Sequence, residues 1–370
     1  MVSATSAVTL ISGLYGLQLE SPTVDGASID SEQNDHDVTQ NWPSFTSLLT
    51  TVASCGLRQY DQGLFLEGLR ISHLGEGLDY KVDLCEDASK KELVIVKHVK
   101  LMLPATASRE EVESPIIRRF RKVQTEIRIM AHPPLLKSKY ILDLLGYGWE
   151  FAQQAYMSPF LVVGYACHGT LRDFLRLTTL QDVAQKQDLT EDIAQGLYAL
   201  HHCEIVHGDV KMENVLVCEH ELGTICAKIA DFGSSIIGAA ESSNIEYYGT
   251  AEYHAPELRA STTLKSDETR SSTLDRAYLL DVYAYGLLIW EILLDGARFF
   301  HRPGVDLAIE RRDYDVVREL ALKDCYSTVA GRVEATIFNK LIENILQVDT
   351  DHRWNTSSIL KNIRKLENER

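Results

Sequence analysis

The stretch His207-Gly208-Asp209-Val210-Lys211-Met212-Glu213-Asn214, followed 22 residues after Asp209 by Asp231-Phe232-Gly233, decides how this chain is read. Between the two lie the apolar runs Val215-Leu216-Val217 and Ala227-Lys228-Ile229-Ala230. A polar loop therefore enters a two-stranded hairpin whose far end carries a second acid. Taken singly, each fragment also fits a buried polar turn with Asp231 as an ordinary turn acid. Their joint spacing makes that reading improbable.

Upstream of this stretch the pattern is that of strands. Leu69 to Gly77, Tyr80 to Leu84 and Glu92 to Val99 are short β-prone runs separated by Gly or by Glu-Asp-Ala-Ser-Lys-Lys, an antiparallel meander. Residues 115–131 open with Pro115 after Ser114 and place Ile116, Phe120, Val123, Ile127 and Met130 on one face, which predicts an amphipathic helix. Further strands are expected at 141–147 and 160–165. After Gly169 helices take over, at 170–176, 184–202, 277–294, 315–322 and 336–347. Strands first and helices second imply two lobes in an α+β protein. No internal repeat is visible.

The N-terminal region differs. Ser, Thr, Gln, Asn and Asp crowd positions 20–40, so residues 1–66 read as an acidic, poorly ordered arm, with one short helix expected over 42–52.

Composition narrows the function classes. The 370 residues are 45% hydrophobic and 24% charged, which excludes a disordered or fibrous chain. A formal charge of −16, from 37 basic against 53 acidic residues, argues against a nucleic-acid or anionic-membrane binder. Seven scattered cysteines without a C-x-x-C pair fit free thiols in a reducing compartment. The longest apolar candidate, 279–294, is interrupted by Asp281 and Glu291 and is too short and polar to span a bilayer. No basic n-region precedes the uncharged first 19 residues. The expected location is intracellular, in the cytoplasm.

The 207–214 and 231–233 motifs together resemble the catalytic loop and metal-binding motif of eukaryotic protein kinases. Phosphoryl transfer is mostly positioning and charge neutralisation, so it needs a carboxylate near the attacking hydroxyl and oxygen ligands for magnesium. The resemblance implies that Asp209 orients the hydroxyl and accepts its proton and that Lys211 sits near the transferring phosphate. It also implies that Asn214 and Asp231 hold the metal. Val94-Ile95-Val96-Lys97 is similar to the family's V-A-I-K, with Lys97 reaching the α and β phosphates and Glu126, 29 residues on, as its partner acid. Without that context Lys97 is a solvated strand end. Gly249-Thr250-Ala251-Glu252-Tyr253-His254-Ala255-Pro256-Glu257 looks like the end of an activation segment. Asp281-Val282-Tyr283-Ala284-Tyr285-Gly286 looks like the helix that anchors the catalytic loop, and Arg353 matches the late arginine that pairs with Glu257. Leu161 to Ala166 resembles the hinge, with Val163 as gatekeeper and adenine on the backbone of Gly164 and Ala166; Val82 and Leu216 complete the implied nucleotide set. Met130, Leu144, His207 and Phe232 fit the family's stacked hydrophobic spine, and core packing accounts for all but His207 equally well.

The resemblance covers residues 68–365 and implies a bilobal protein-kinase-like fold. A small β-rich N-lobe with the hinge is expected over 67–166 and a larger helical C-lobe over 167–368. It further implies ATP and Mg2+ as cofactors and a protein substrate with a serine or threonine acceptor, since Lys211 and Thr250 pair beside the acceptor hydroxyl in serine/threonine kinases.

Three departures stand out. Gly75-Glu76-Gly77-Leu78-Asp79-Tyr80-Lys81-Val82 keeps two glycines and the valine of the nucleotide loop but has Tyr80 at the third glycine, and Asp79 is mildly repulsive to phosphate there. A plain hairpin turn is the other reading. Gly208 replaces the arginine that contacts an activation-segment phosphate in the family, which implies less dependence on such a phosphate. Arg118, Arg119, Arg121 and Lys122 either grip a phosphate or form a solvated basic face. Residues 260–273 read as an exposed Ser/Thr-rich insertion. A pseudokinase that binds without turnover and a small-molecule kinase stay open as alternatives.

Overall fold

A strand at a sheet face buries alternate side chains, and the run Tyr80–Asp87 does so at Asp83, Cys85 and Asp87, with Tyr80 buried on the opposite face. The computed structural model describes residues 42–60, 70–77, 79–100, 109–151, 157–178, 182–219, 223–238, 245–259, 263–264, 270–329 and 334–368. Its first part is a six-stranded sheet of β1 (Gln59–Tyr60), β2 (Arg70–Glu76), β3 (Tyr80–Asp87), β4 (Glu92–Val99), β5 (Leu144–Phe151) and β6 (Met157–Gly164), in the order β1-β5-β6-β4-β3-β2. All pairs are antiparallel except β1 with β5. The register sets Val82 opposite both Gly75 and Lys97, so the loop, the apolar lid and the lysine share one end of the meander.

Two helices belong to this sheet lobe, α1 (Trp42–Ser54) and α2 (Arg109–Met130), and they pack on each other. In α2 Phe120, Val123, Ile127 and Met130 are buried on one face. The helix starts six residues before Pro115, correcting the expectation that the proline opens it. The preceding Arg-Glu-Glu-Val-Glu-Ser run is composed largely of good helix formers, and this extends the helix N-terminally past the proline.

Residues 42–60 do not behave as an arm. Leu48 and Val52, one turn apart, are buried in the same core cluster as the inner face of α2. Arg58 and Tyr60 both bond Asp87 of β3, at 3.1 and 3.2 Å. Burying two aliphatic side chains and satisfying a buried carboxylate holds the segment down, which the composition of its polar neighbours hid. Residues 1–41 and 61–66 of the expected arm lie outside the described residues.

Helices dominate the second part: α3 (Pro133–Leu136) at the junction, then α4 (Leu171–Leu177), α5 (Val183–His202), α6 (Arg270–Leu293), α7 (Val305–Glu310), α8 (Tyr314–Val329), α9 (Ala335–Ile345) and α10 (Thr356–Asn368). Thr170 caps α4 by accepting the Asp173 N–H, and Asp182 caps α5 by accepting that of Ala184. From Leu280 to Leu293 helix α6 is buried on every side, its two acids Asp281 and Glu291 included. A helix apolar all round is a core helix, and the other elements are arranged about it.

Short strand pairs carry the loops between the lobes: β7 (Ile205–Val206), β8 (Val215–Glu219), β9 (Ile225–Ile229), β10 (Ile236–Ile237), β11 (Ile245–Glu246) and β12 (Thr263–Leu264). β8 pairs with β9, β10 with β7 and β11 with β12. The expected 260–273 insertion is therefore not a plain loop, because residues 263–264 pair with 245–246 and α6 begins at Arg270. Among the described residues no helix is long and apolar enough to cross a membrane.

Candidate active site

Strand β4 delivers Lys97 to the inner face of the sheet, and α2 delivers Glu126. The Lys97 ammonium lies 2.7 Å from Glu126 Oε2, with Glu126 fully buried. Burial pulls the Lys97 pKa down, but the charges of Glu126 and Asp231 outweigh it and hold the lysine above its ordinary value. The cation is thus fixed in place and permanently charged. Above it sits a residue whose role the sequence did not disclose: the Tyr80 ring centroid is 4.1 Å from Lys97 Nζ, and the side chain is buried. Burial and the Glu126 charge raise its phenol well above the usual tyrosine range.

Asp79 of the same loop is not left to repel an anion. Lys122 of α2 reaches it at 2.6 Å and Arg119 at 3.6 Å, while Lys100 bonds Glu76 and the Gly77 carbonyl. The basic face of α2 is therefore engaged in part by the glycine loop, so Arg119 and Lys122 are not purely solvated. At Gly75 a Cβ meets no atom within 4 Å, but φ of +158° itself favours glycine; at Gly77 a Cβ meets only Tyr80 O at 3.9 Å, so neither backbone strain nor a protein contact requires glycine there. Close approach of a ligand to the backbone is the remaining physical reason.

In the helical part the loop from Ile205 to Asn214 converges on Asp209. Lys211 Nζ donates to Asp209 Oδ2 at 2.6 Å and to Thr250 Oγ1 at 2.8 Å. Thr250 donates both its backbone N–H and its hydroxyl to Asp209 Oδ1, at 2.8 and 2.7 Å. Burial pushes the Asp209 carboxyl up, yet the Lys211 and Thr250 hydrogen bonds prevail and hold it below the usual range. Asn214 uses Nδ2 on Asp209, at 2.8 Å from its carbonyl, which leaves the amide oxygen for a hard cation. Asp231, at the end of the β8–β9 hairpin, is exposed and holds φ at +62°, a left-handed conformation that costs a non-glycine residue of order 1 kcal/mol or more. Its carboxylate accepts the Gly233 N–H at 3.4 Å.

His207 is buried, bonds the Ala230 carbonyl through Nε2 at 3.1 Å, accepts the Asp209 N–H and meets the Phe232 ring edge-on at 5.5 Å. Met130, Leu144 and Phe232 are buried in the same cluster. Between the lobes, Val163 is buried, the Gly164 N–H bonds the Asp143 carbonyl at 3.0 Å, and the Ala166 carbonyl accepts from Gly169. Val82 and Leu216 are half-buried on strands β3 and β8.

Two further features hold this loop. Asp281 is fully buried and takes four donors: His207 N at 2.7 Å and His201 Nε2 at 3.0 Å on Oδ2, Gly208 N at 3.0 Å and the Tyr247 hydroxyl at 3.2 Å on Oδ1. Arg172 bonds Glu213, Glu291, Tyr253 and the Gly296 carbonyl, joining α4, the 207–214 loop, the segment after Thr250 and α6. Sequence reasoning missed this network, whose only signal was an acid, Glu291, inside an apolar helix. Arg353 grips Glu257 with two nitrogens, at 2.6 and 3.1 Å. Cys167, His168 and Glu219 form a separate surface group of metal-capable atoms past the hinge.

A sheet lobe with a charge-paired lysine, set over a helical lobe whose polar loop is pinned to a central buried helix, is the architecture of the protein-kinase-like phosphotransferases. A family model described as the protein kinase domain matches residues 69–363, and the chain belongs to that family. Over 232 residues it is 28% identical to a probable receptor-like protein kinase of Arabidopsis thaliana, covering 60% of this chain and 24% of the relative. Over 168 residues it is 32% identical to the serine/threonine-protein kinase PknL of Mycobacterium tuberculosis, covering 45% of this chain and 38% of that one. A mitogen-activated protein kinase kinase kinase of Caenorhabditis briggsae matches at 28% over 173 residues, 46% of this chain and 17% of its own. The chain thus spans well under half the length of these relatives.

Proposed function

We propose that this protein is an ATP- and magnesium-dependent serine/threonine protein kinase that transfers the γ-phosphate to protein hydroxyls. The observation that carries the reading is the Asp209–Lys211–Thr250 cluster, in which a carboxylate held ionised is hydrogen-bonded to both the lysine and the threonine. Asp209 orients the acceptor hydroxyl and takes its proton; Lys211 neutralises charge that builds on the transferring phosphoryl group. The reach of Lys211 to Thr250 at 2.8 Å supports serine or threonine as acceptor, and the PknL resemblance agrees with it.

Asn214 and Asp231 fit a magnesium ion, being the oxygen donors left over by the local hydrogen bonds, and the ion when bound supplies positive charge to the phosphates. Gly75, Gly77 and Lys97 suit the phosphates, Glu126 aims Lys97, and Val82, Leu216, Val163, Gly164 and Ala166 suit the adenine. All seven cysteines are free, which supports an intracellular, reducing setting.

One observation favours a second reading, a nucleotide-binding module without turnover: the Tyr80 ring covers Lys97. Incubation with labelled ATP, magnesium and mixed protein acceptors separates the two. The kinase reading expects label in protein that is lost in Asp209→Ala; a thermal shift with ATP but no transfer under any metal supports the second.

A further inference from the structure

The 207–214 loop and the segment ending at Thr250 touch where neither has a side chain. Gly208 has φ +82°, and a Cβ there would stand 2.3 Å from the Ser234 carbonyl oxygen. A Cβ on Gly249 would stand 2.5 Å from the Gly208 carbonyl oxygen. Three backbone segments, at Gly208, Ser234 and Gly249, are therefore in direct contact, and the contact depends on both glycines.

The near end of the 231–257 segment is fixed by backbone: β10 pairs with β7, Ser235 Oγ donates to the His207 carbonyl at 2.8 Å, and Gly238 N–H to that of Glu204 at 2.7 Å. Past Thr250 its far end is held by Tyr253 on Arg172 and Glu291 and by Glu257 on Arg353; ahead of Thr250 it has a further deeply buried attachment. Tyr247 is 3% exposed, its ring lies edge-on to His254 at 5.9 Å, and its hydroxyl donates to Asp281 Oδ1, the same oxygen that accepts the Gly208 N–H. Burial and the Asp281 charge hold this phenol well above the ordinary tyrosine range, so it remains a donor.

We propose that Tyr247 is a positioning residue, a tether that seats the activation segment on the catalytic loop through Asp281 and so presents Thr250 to Asp209 without any phosphoryl group. The path is short. Asp281 fixes Gly208, Gly208 abuts Gly249, and the next residue, Thr250, gives two hydrogen bonds to Asp209. Every link is a phenol, a carboxylate, a threonine hydroxyl or a backbone group, and none needs a modification. The tether rests on the protein-kinase reading only for its effect on turnover.

Tyr247→Phe removes the hydroxyl and keeps the ring, so its effects report the tether and not the packing. Hydrogen exchange of the full chain, read by mass spectrometry, is expected to show peptides over 245–255 exchanging about tenfold faster, with peptides over 205–214 unchanged. Turnover is expected to fall about tenfold at unchanged KM for ATP. Phosphatase treatment of the wild type is expected to leave turnover as it was. Unchanged exchange over 245–255, wild-type turnover in Tyr247→Phe, or loss of wild-type turnover on phosphatase treatment each overturns the proposal. The exchange result stands whether or not the protein transfers phosphate, so a wild type without transfer counts against the kinase reading while the tether is still decided.

Discussion

Lys97 Nζ lies 2.7 Å from Glu126 Oε2, joining the third strand of the meander to the long helix beside it. A flexible ammonium is useful to a phosphate only if aimed, and here a fully buried carboxylate does the aiming. Lys97→Met is expected to lower turnover by about a hundredfold or more, the scale of losing a positioned charge in a closed site. Glu126→Gln keeps a hydrogen-bond acceptor without the charge and is expected to lose less. Steady-state kinetics on both variants checks the order; equal turnover in all three proteins contradicts it.

On the proposed kinase reading, the contact of Tyr80 with Lys97 competes with the phosphates for the lysine. A cation–π contact in a partly desolvated place is worth about 1–2 kcal/mol, which converts to roughly a tenfold change in affinity. Tyr80→Gly, which restores the family's glycine, is expected to tighten ATP binding by about that factor while lowering the melting temperature, because a buried ring is lost. Titration of ATP by calorimetry measures it, and weaker binding in the variant contradicts it.

Gly208 is not a vacant place for the family's arginine. With φ at +82° and the Ser234 carbonyl where a Cβ would go, Gly208→Arg is expected to push the activation segment away and to cost at least about 2 kcal/mol in stability. Thermal unfolding is the check. A variant as stable and active as the wild type would mean that the two backbones are not in contact.

How much of this was legible beforehand follows from what kind of information each feature needs. Lys97, Glu126, Asp209, Asn214, Asp231 and Arg353 are readable because their chemistry is carried by residue type at a fixed spacing. Tyr80, Tyr247 and Arg172 are not, since a lone Tyr or Arg looks alike in sequence whether it points to solvent or into the core. Their partners, Lys97, Asp281 and Glu291, lie 17 or more residues away. For α1 the helix itself is legible over 42–52 from its apolar spacing, whereas the packing of Leu48 and Val52 against α2 is not. Local pattern also misplaced the start of α2, where the helix-forming residues ahead of Pro115 outweigh the proline signal.

Asp192 gives the fold a pH dependence. It accepts the Ala227 N–H at 2.9 Å, and burial pushes its carboxyl up to about 6. A carboxyl raised in the folded state holds its proton more tightly there than in the unfolded chain, so its contribution favours folding at low pH and is lost as pH rises through that value. Asp192→Asn keeps the acceptor without the charge. It is expected to be more stable than the wild type at pH 8, by on the order of 2 kcal/mol, and to converge with it only near pH 3, below the free carboxyl value of 3.8. Urea unfolding at the two pH values checks this, and an equal difference at both contradicts it.

On the proposed reading Asp209, held ionised by Lys211 and Thr250, takes the proton of a protein hydroxyl during phosphoryl transfer. The most direct measurement is transfer of labelled γ-phosphate from magnesium ATP to protein acceptors by the wild type and by Asp209→Ala, at matched folding and ATP binding. The account predicts label on serine or threonine with the wild type and a loss of about a thousandfold or more in the variant. Equal incorporation by the two proteins would contradict it.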